Sequence, residues 1–315
     1  AVNEPMKIRN MELLPVAVQV TYEEYLKDKP EDNMSDEAKK FSVTIQGEDS
    51  YLRSSPSLYA RYDRSSADTE PYSVKNTLLN YIGGDAWRDA GQWIEWEVEV
   101  PQDGLYQLGM RYRQNENKGQ DSLRRLEVDG VVPFAEAALI PFDYTINWKT
   151  EFLGGETPWQ LYLTAGTHRI RLEVVQGEKE AQAAAMQETL YQINSLYREI
   201  IMITGTDPDT YRDYGFSRVM PEVLNEFILM SREINEVSAY LEDVAGVKGS
   251  QIATLDRVSW LLEKMGGDED VIAKNLSELK AYIGNLGTWI TTAKTQPLQL
   301  DYVLVQPADG ELPKA

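Results

Sequence analysis

Only one side chain in this sequence of 315 residues could act as an imidazole base: His168. It lies in Ala165-Gly166-Thr167-His168-Arg169-Ile170, a turn entering a strand, where a structural or surface role is expected. There is no cysteine, which excludes disulfides, thiolate nucleophiles and cysteine-based zinc sites. The chemistry left open belongs to carboxylates and aromatic rings. Asp207, Asp209, Arg212 and Asp213 include the Asp-x-Asp spacing of a calcium loop. The glycine and distal glutamate of that loop are missing, so helix capping and local ion pairs are expected there. No two carboxylates are singled out by their surroundings as the acid and nucleophile of a glycosidase. An enzyme is not expected.

The formal net charge is −20. Such a surface repels phosphate backbones and anionic lipid, so neither nucleic acid nor a membrane surface is an expected partner. The same acidity keeps the chain soluble and leaves carboxylates available to Ca²⁺. No apolar run reaches the roughly 18 residues that would span a bilayer. Hydrophobic residues make up 42% of the chain, enough for a sizeable core. The sequence opens on Ala1 rather than methionine, and a processed or shortened chain is expected.

The elements that must position any site fall into three stretches. Residues 1–40 read as a leader packing on the sandwich formed by the second stretch. Within this leader, Met11 to Val20 has extended character, and Tyr22 to Leu26 forms a short helix capped by Thr21. Residues 41–178 alternate apolar and polar side chains in Phe41–Ile45 and Trp93–Val100. Leu105–Tyr112 comes after the turn Pro101–Gly104. Hairpins are expected around Asp129-Gly130 and between Trp159–Leu163 and His168–Val175. From residue 179 the period becomes helical. Leu190, Ile193, Tyr197 and Ile200 share one face, as do Val223, Phe227, Met230, Ile234, Val237 and Leu241. Two further stripes run through Leu255–Met265 and Ile272–Ile290. Four such stripes suit an antiparallel bundle. After Pro297 the pattern returns to a strand, Leu298–Gln306. A lone strand leaves its backbone groups unpaired, so this one should complete the sheet interrupted near residue 178. The fold class is therefore α+β in two units: an antiparallel jelly-roll β-sandwich, residues 41–178 plus 297–308, and a four-helix bundle, residues 179–296, inserted before its last strand.

Trp93-Ile-Glu-Trp-Glu-Val-Glu-Val-Pro-Gln-Asp-Gly-Leu-Tyr106, Met110-Arg-Tyr-Arg113, Leu163-Thr-Ala-Gly-Thr-His-Arg-Ile-Arg-Leu172 and Leu300-Asp-Tyr-Val-Leu304 resemble carbohydrate-binding modules of families six and thirty-five. Further stretches are Tyr22-Glu-Glu-Tyr-Leu26, Leu123-Arg-Arg-Leu-Glu-Val-Asp-Gly130, Pro133-Phe-Ala-Glu-Ala137, Ile203 to Tyr214 and Leu286-Gly-Thr-Trp289. With these, nearly the whole chain resembles the amino-terminal region of large extracellular solute-binding proteins of sugar ABC transporters in Paenibacillus-like Firmicutes. In that family a pair of ligand-binding lobes would come next; this sequence stops at Ala315. The resemblance implies a non-catalytic accessory region at the surface of a Gram-positive bacterium, with carbohydrate and transporter components as partners.

It also implies two sites. Sugar modules stack flat rings on the apolar face of a pyranose and fix it with a few polar groups. Trp87 and Tyr144 correspond to such ring positions. Gln299 stands where the family has a sugar-contacting asparagine. A structural Ca²⁺ in these modules is held by a first-strand Glu-x-Glu and an aspartate of the last strand. Gln46, Glu48 and Asp301 are the equivalents here, with one carboxylate fewer. The alternative function is a structural or protein-interaction module. In that reading the helices cover the sugar rim, and Trp87 and Tyr144 pack against them.

Overall fold

The computed structural model describes residues 19–30, 33–118, 120–177, 179–245 and 249–313. Most of the stretch expected to be extended, residues 11–18, lies outside them. Helix α1 spans Tyr22–Lys27, and Thr21 and Glu24 close a capping box at its start. The rings of Tyr22 and Tyr25 pack edge-on or tilted against Phe134, at 4.9 and 5.3 Å. Their phenol oxygens accept the backbone N–H groups of Gln160 and Tyr162 at 2.9 and 3.1 Å. The leader thus caps an outer strand that would otherwise present unpaired amides.

The strands are β1 (Val43–Gln46), β2 (Leu52–Arg53), β3 (Ala60–Arg61), β4 (Tyr81–Gly84), β5 (Trp93–Val100), β6 (Gly104–Arg113), β7 (Ser122–Val128), β8 (Ile140–Phe142), β9 (Lys149–Phe152), β10 (Gln160–Leu163), β11 (Gly166–Val174) and β12 (Leu298–Pro307). One sheet runs β10-β6-β12-β4-β3, with β1 also on β12 and β9 also on β6. The other runs β2-β5-β11-β7-β8. All pairings between these strands are antiparallel. Side chains alternate across each strand, so Tyr106, Leu108, Met110 and Tyr112 of β6 face Ile94, Trp96 and Val98 of β5 in one buried core.

The strand after Pro297 lies inside the first sheet. β12 pairs with β6 along one edge, from Gln299 opposite Arg113 to Pro307 opposite Tyr106. Along the other it pairs with β4 and then β1. One expected hairpin is not formed, and a second is reduced to its turn and one bridge. β10 pairs with β6 and β11 with β5 and β7, so the turn at Thr164-Ala165 carries the chain between sheets. Asp129 and Gly130 do make a tight turn, with φ of 51° and 78°. The returning strand amounts to the single bridge of Val131 to Val128, because Pro133 has no N–H to extend a ladder.

Between β11 and β12 run α2 (Lys179–Thr204), α3 (Phe216–Val219), α4 (Val223–Ala245), α5 (Ser250–Gly267) and α6 (Ile272–Lys294). The four long helices enclose a separate core that includes Ile193, Phe227, Ile234, Leu255, Leu262, Leu276 and Leu279. α2 packs on α6 and α4, and α5 packs on α4 and α6. The two ends of the insertion meet at the sandwich. Gln176 Nε2 donates to the Lys294 carbonyl at 2.8 Å, Asn117 Nδ2 to that of Thr295 at 2.8 Å, and Ser122 Oγ to that of Pro297 at 2.6 Å.

This geometry makes the bundle removable and the last strand indispensable. Replacing residues 178–294 by a short Gly/Ser linker is expected to leave a sandwich with a β-type circular dichroism spectrum and one cooperative urea transition. Ending the chain at Lys294 is expected to leave the helical transition of the bundle and to abolish that of the sandwich. A truncated chain that keeps the β-type spectrum and the sandwich transition would contradict the central position of β12.

Candidate functional site

The end of the sandwich nearest the bundle gathers the start of β12, the last residues of β4, the end of β6 and the loops beside them. Trp87 belongs to this region, but its ring is fully buried, with 0% exposure. It packs edge-to-face with Trp96 at 6.3 Å between centroids. The Arg124 guanidinium lies 4.3 Å from its centroid, and Nε1 donates to the Gln92 carbonyl at 3.3 Å. The expectation that Trp87 offers a stacking face is therefore corrected: the ring belongs to the inter-sheet core, not to the rim. Tyr144 is half-buried in the β8–β9 loop. With the Trp87 ring buried, the three expected sugar contacts do not share one exposed surface; the loop of Tyr144 is tied through Thr145 to Gln114, between Arg113 and Asn115, the two partners of Gln299.

Arg124 holds this corner together. It is wholly buried and, among the described residues, has no carboxylate partner. Its guanidinium donates to the carbonyls of Leu123, Trp87 and Gln296 at 2.9, 3.0 and 2.8 Å. Burial pushes it down to about 9, so it remains charged at neutral pH. Carbonyl dipoles and the ring of Trp87 thus compensate the charge and fix the exit of α6 against β7.

Gln299 is 8% exposed. Its Oε1 accepts from Arg113 Nε at 2.7 Å and its Nε2 donates to Asn115 Oδ1 at 3.3 Å. Arg113 also stacks on Trp148 at 4.6 Å and lies 3.5 Å from Asp63. Glu116 rests against the Gln299 amide; burial first, then the charge of Asp85, pushes its carboxyl above the ordinary range. Asp85 is ion-paired to Arg61, whose guanidinium sits 5.2 Å from the ring of Tyr59. Tyr59 is 52% exposed. These interactions make a chain of groups from Tyr59 through Arg61, Asp85 and Glu116 to Gln299, Asn115 and Arg113. Its open ring and fixed donors and acceptors are the kinds of group that grip a polyhydroxylated ring. Strand alternation could have placed Arg111 and Arg113 on one face of β6. Tyr59, Arg61 and Asp85 carry no periodic signal, since their strands are only two to four residues long or have ended.

Of the second expected set, Glu48 lies within electrostatic reach of Asp301, and Gln46 pairs across the sheet with Tyr302, next to Asp301 in the chain. Gly47 comes directly after Gln46 and packs so tightly on the Leu300 carbonyl that a Cβ there would collide with it. This close approach sets the turn Gly47–Asp49, which carries Glu48, against β12. Asp301 sits at an irregularity in the β6–β12 register between Leu300 and Tyr302. One of its oxygens pairs with Arg111. The other, Asp301 Oδ1, is buried without a hydrogen-bond partner, as are Gln46 Oε1 and Glu48 Oε2. Burial chiefly, with Asp49 and Asp301 adding like charge, pushes Glu48 up to about 7. Burial also pushes Asp301 up to about 7, against the pull of Arg111. Among the described residues, no group of three or more His, Asp or Glu side chains assembles into a metal site; this cluster has two carboxylates and one amide. His168 is confirmed as structural: Nδ1 is 2.7 Å from Asp129 Oδ2 and Nε2 is 2.7 Å from the Thr164 carbonyl.

Residues 182–292 match the bacterial solute-binding protein 4-helix bundle domain. The inserted bundle is similar to that domain. The chain is 28% identical over 125 residues to a cycloisomaltooligosaccharide glucanotransferase of Niallia circulans, a match covering 39% of this chain and 12% of that protein. Among solved structures, a Paenibacillus cycloisomaltooligosaccharide glucanotransferase aligns with 44% of this chain and 17% of its own, at 24% identity and a TM-score of 0.31. A family 35 carbohydrate-binding module from Clostridium thermocellum aligns with 43% of this chain and 87% of its own, at 21% identity and a TM-score of 0.31. The architecture is an antiparallel β-sandwich carrying an inserted helical bundle. Among the described residues no helix is long and apolar enough to cross a membrane.

Because Trp87 is core, Trp87→Ala is expected to lower the unfolding free energy by about 3–5 kcal/mol, read from urea titration. A loss below about 1 kcal/mol would place the ring outside the core.

Proposed function

We propose that this chain is the extracellular, non-catalytic accessory region of a sugar ABC-transporter solute-binding protein at a Gram-positive cell surface, and that it binds carbohydrate at the sandwich end beside Gln299. The observation that carries this reading is the exposed ring of Tyr59 joined through Arg61 and Asp85 to Glu116, Gln299 and Asn115. Tyr59 supplies the apolar face for a pyranose. The charged groups supply hydrogen bonds to its hydroxyls, each stronger than a neutral pair would be. Since the curated relative is named for cyclic isomalto-oligosaccharides, linear and cyclic isomalto-oligosaccharides head the panel to be titrated.

Titration calorimetry is expected to show binding by the wild type. Tyr59→Ala and Asp85→Ala should each weaken it about tenfold while leaving the melting temperature unchanged. A specific observation favours the alternative, a structural or protein-interaction module: Trp87 is locked under Arg124, and the rim loop is tied to the bundle exit through Asn117 and Thr295. If no glycan in the panel binds the wild type, that alternative stands.

The second proposal concerns Ca²⁺ at Gln46, Glu48 and Asp301. Three buried oxygens without partners match the hard oxygen donors that this cation takes. The ion would supply the positive charge that two desolvated carboxylates need. Without it, a carboxyl raised to about 7 favours its neutral form on folding. That contribution is complete below about pH 4, the unfolded value, and is lost as pH rises through 7. In EDTA, the melting temperature is thus expected to fall between pH 5 and pH 8. Millimolar Ca²⁺ should restore it at pH 8 and do little at pH 5, and Glu48→Gln with Asp301→Asn should remove both effects. Equal melting at pH 8 with and without Ca²⁺ would refute the site.

A further inference from the structure

Helices α2 and α4 face each other across a groove that nothing else in the bundle fills. Two cavities, of about 340 and 430 Å³, lie end to end in it and share Gln192 and Glu233. On α2 the groove runs from Gln182 to Glu199, roughly 25 Å at the rise of an α-helix. Its floor is apolar: Leu196, Met230 and Val237 are buried there, and Leu229 remains 47% exposed. Its walls carry Glu188, Glu199, Glu226, Glu233 and Glu236, and no lysine or arginine lines either cavity. Among the described residues none of these glutamates stands in an ion pair. Glu233 accepts from Thr189 Oγ1 at 3.0 Å, and this leaves its charge uncompensated.

Like charges at helix-turn spacing and across a helix pair oppose folding. The fold itself gains nothing from placing five of them around an apolar floor. A cationic occupant would turn that repulsion into attraction while covering Leu229. A second copy of this chain, with its net charge of −20, is repelled from the groove, as is an anionic lipid surface.

We propose that the α2–α4 groove docks an amphipathic helix of a partner protein, with apolar side chains on the floor and lysine or arginine along both rims.

The test uses the whole chain and an 18-residue Leu/Lys amphipathic peptide, fluorescently labelled and followed by anisotropy. A same-composition peptide with the pattern scrambled serves as the control. Wild type is expected to bind the amphipathic peptide, more weakly as salt rises. The triple variant Glu188→Gln, Glu233→Gln, Glu236→Gln should bind about tenfold more weakly. Neutralising Glu180, Glu263 and Glu278, exposed acids outside the groove, should change little. Because the chain has no native cysteine, a dye on Gln182→Cys reports the contact at the groove's end. Absence of binding, equal binding of the scrambled peptide, or an equal loss in the off-groove variant would each overturn the proposal. So would binding of spermine with none of the peptide.

Discussion

β12 has hydrogen-bonding neighbours along both edges, β6 on one side and β4 followed by β1 on the other. Take it away and the central sheet loses its middle, with three strands left holding unsatisfied amides and carbonyls. Yet this strand is reached only after the whole bundle has been traversed. The sandwich therefore cannot close until the helices have formed or at least let their ends meet, and its central pairing has the long sequence separation that slows folding. The side chains at the junction lower that difficulty. Gln176, Asn117, Ser122 and Arg124 each bond a carbonyl between Lys294 and Pro297, so the chain enters β12 in one register. Slippage by a single residue would turn Leu298, Leu300, Val303 and Val305 out of the core.

The same strand sets both candidate sites. Leu300 faces the core, so Gln299 faces the opposite side of the sheet, beside Arg113. The irregularity after Leu300 shifts the alternation, so that Asp301 pairs with Arg111 while Val303 and Val305 still point inward. A regular strand could not have put Gln299, Asp301 and the Val303–Val305 core pair where they are, because the period of two allows no such change of phase. The polar rim and the oxygen cluster at Gln46, Glu48 and Asp301 therefore depend on one displaced residue.

This dependence also explains what could be read in the sequence. The position of β12 followed from unpaired backbone groups, a requirement that any extended segment carries with it. The helical stripes followed from their period, and each of the four corresponds to a long helix. Gln46, Glu48 and Asp301 came from the resemblance to carbohydrate-binding modules rather than from any period in the sequence, and the fold sets Glu48 within electrostatic reach of Asp301. The hairpin expected between Trp159–Leu163 and His168–Val175 failed because a turn signal says that the chain reverses, not which sheet receives it. At Thr164-Ala165 it changes sheet. Trp87 misled for a similar reason: a ring near the rim in sequence can point either way. Its direction was decided by Arg124, 37 residues away, whose charge needs an aromatic face and carbonyl oxygens around it.

That buried arginine bears on how the two halves of the molecule act together. A guanidinium with no carboxylate partner tolerates little movement of the carbonyls that solvate it, since losing one leaves a charge exposed to a low-dielectric interior. Two of its three carbonyls come from different units: Trp87 from the sandwich and Gln296 from the exit of the bundle. Swinging the bundle away from the rim would pull Gln296 off and uncover Arg124 at the same time. The bundle is thus held at a fixed angle beside Gln299 rather than tethered loosely to it. Whatever the rim binds and whatever the α2–α4 groove binds are accordingly held in a fixed spatial relation, which a flexible linker could not provide.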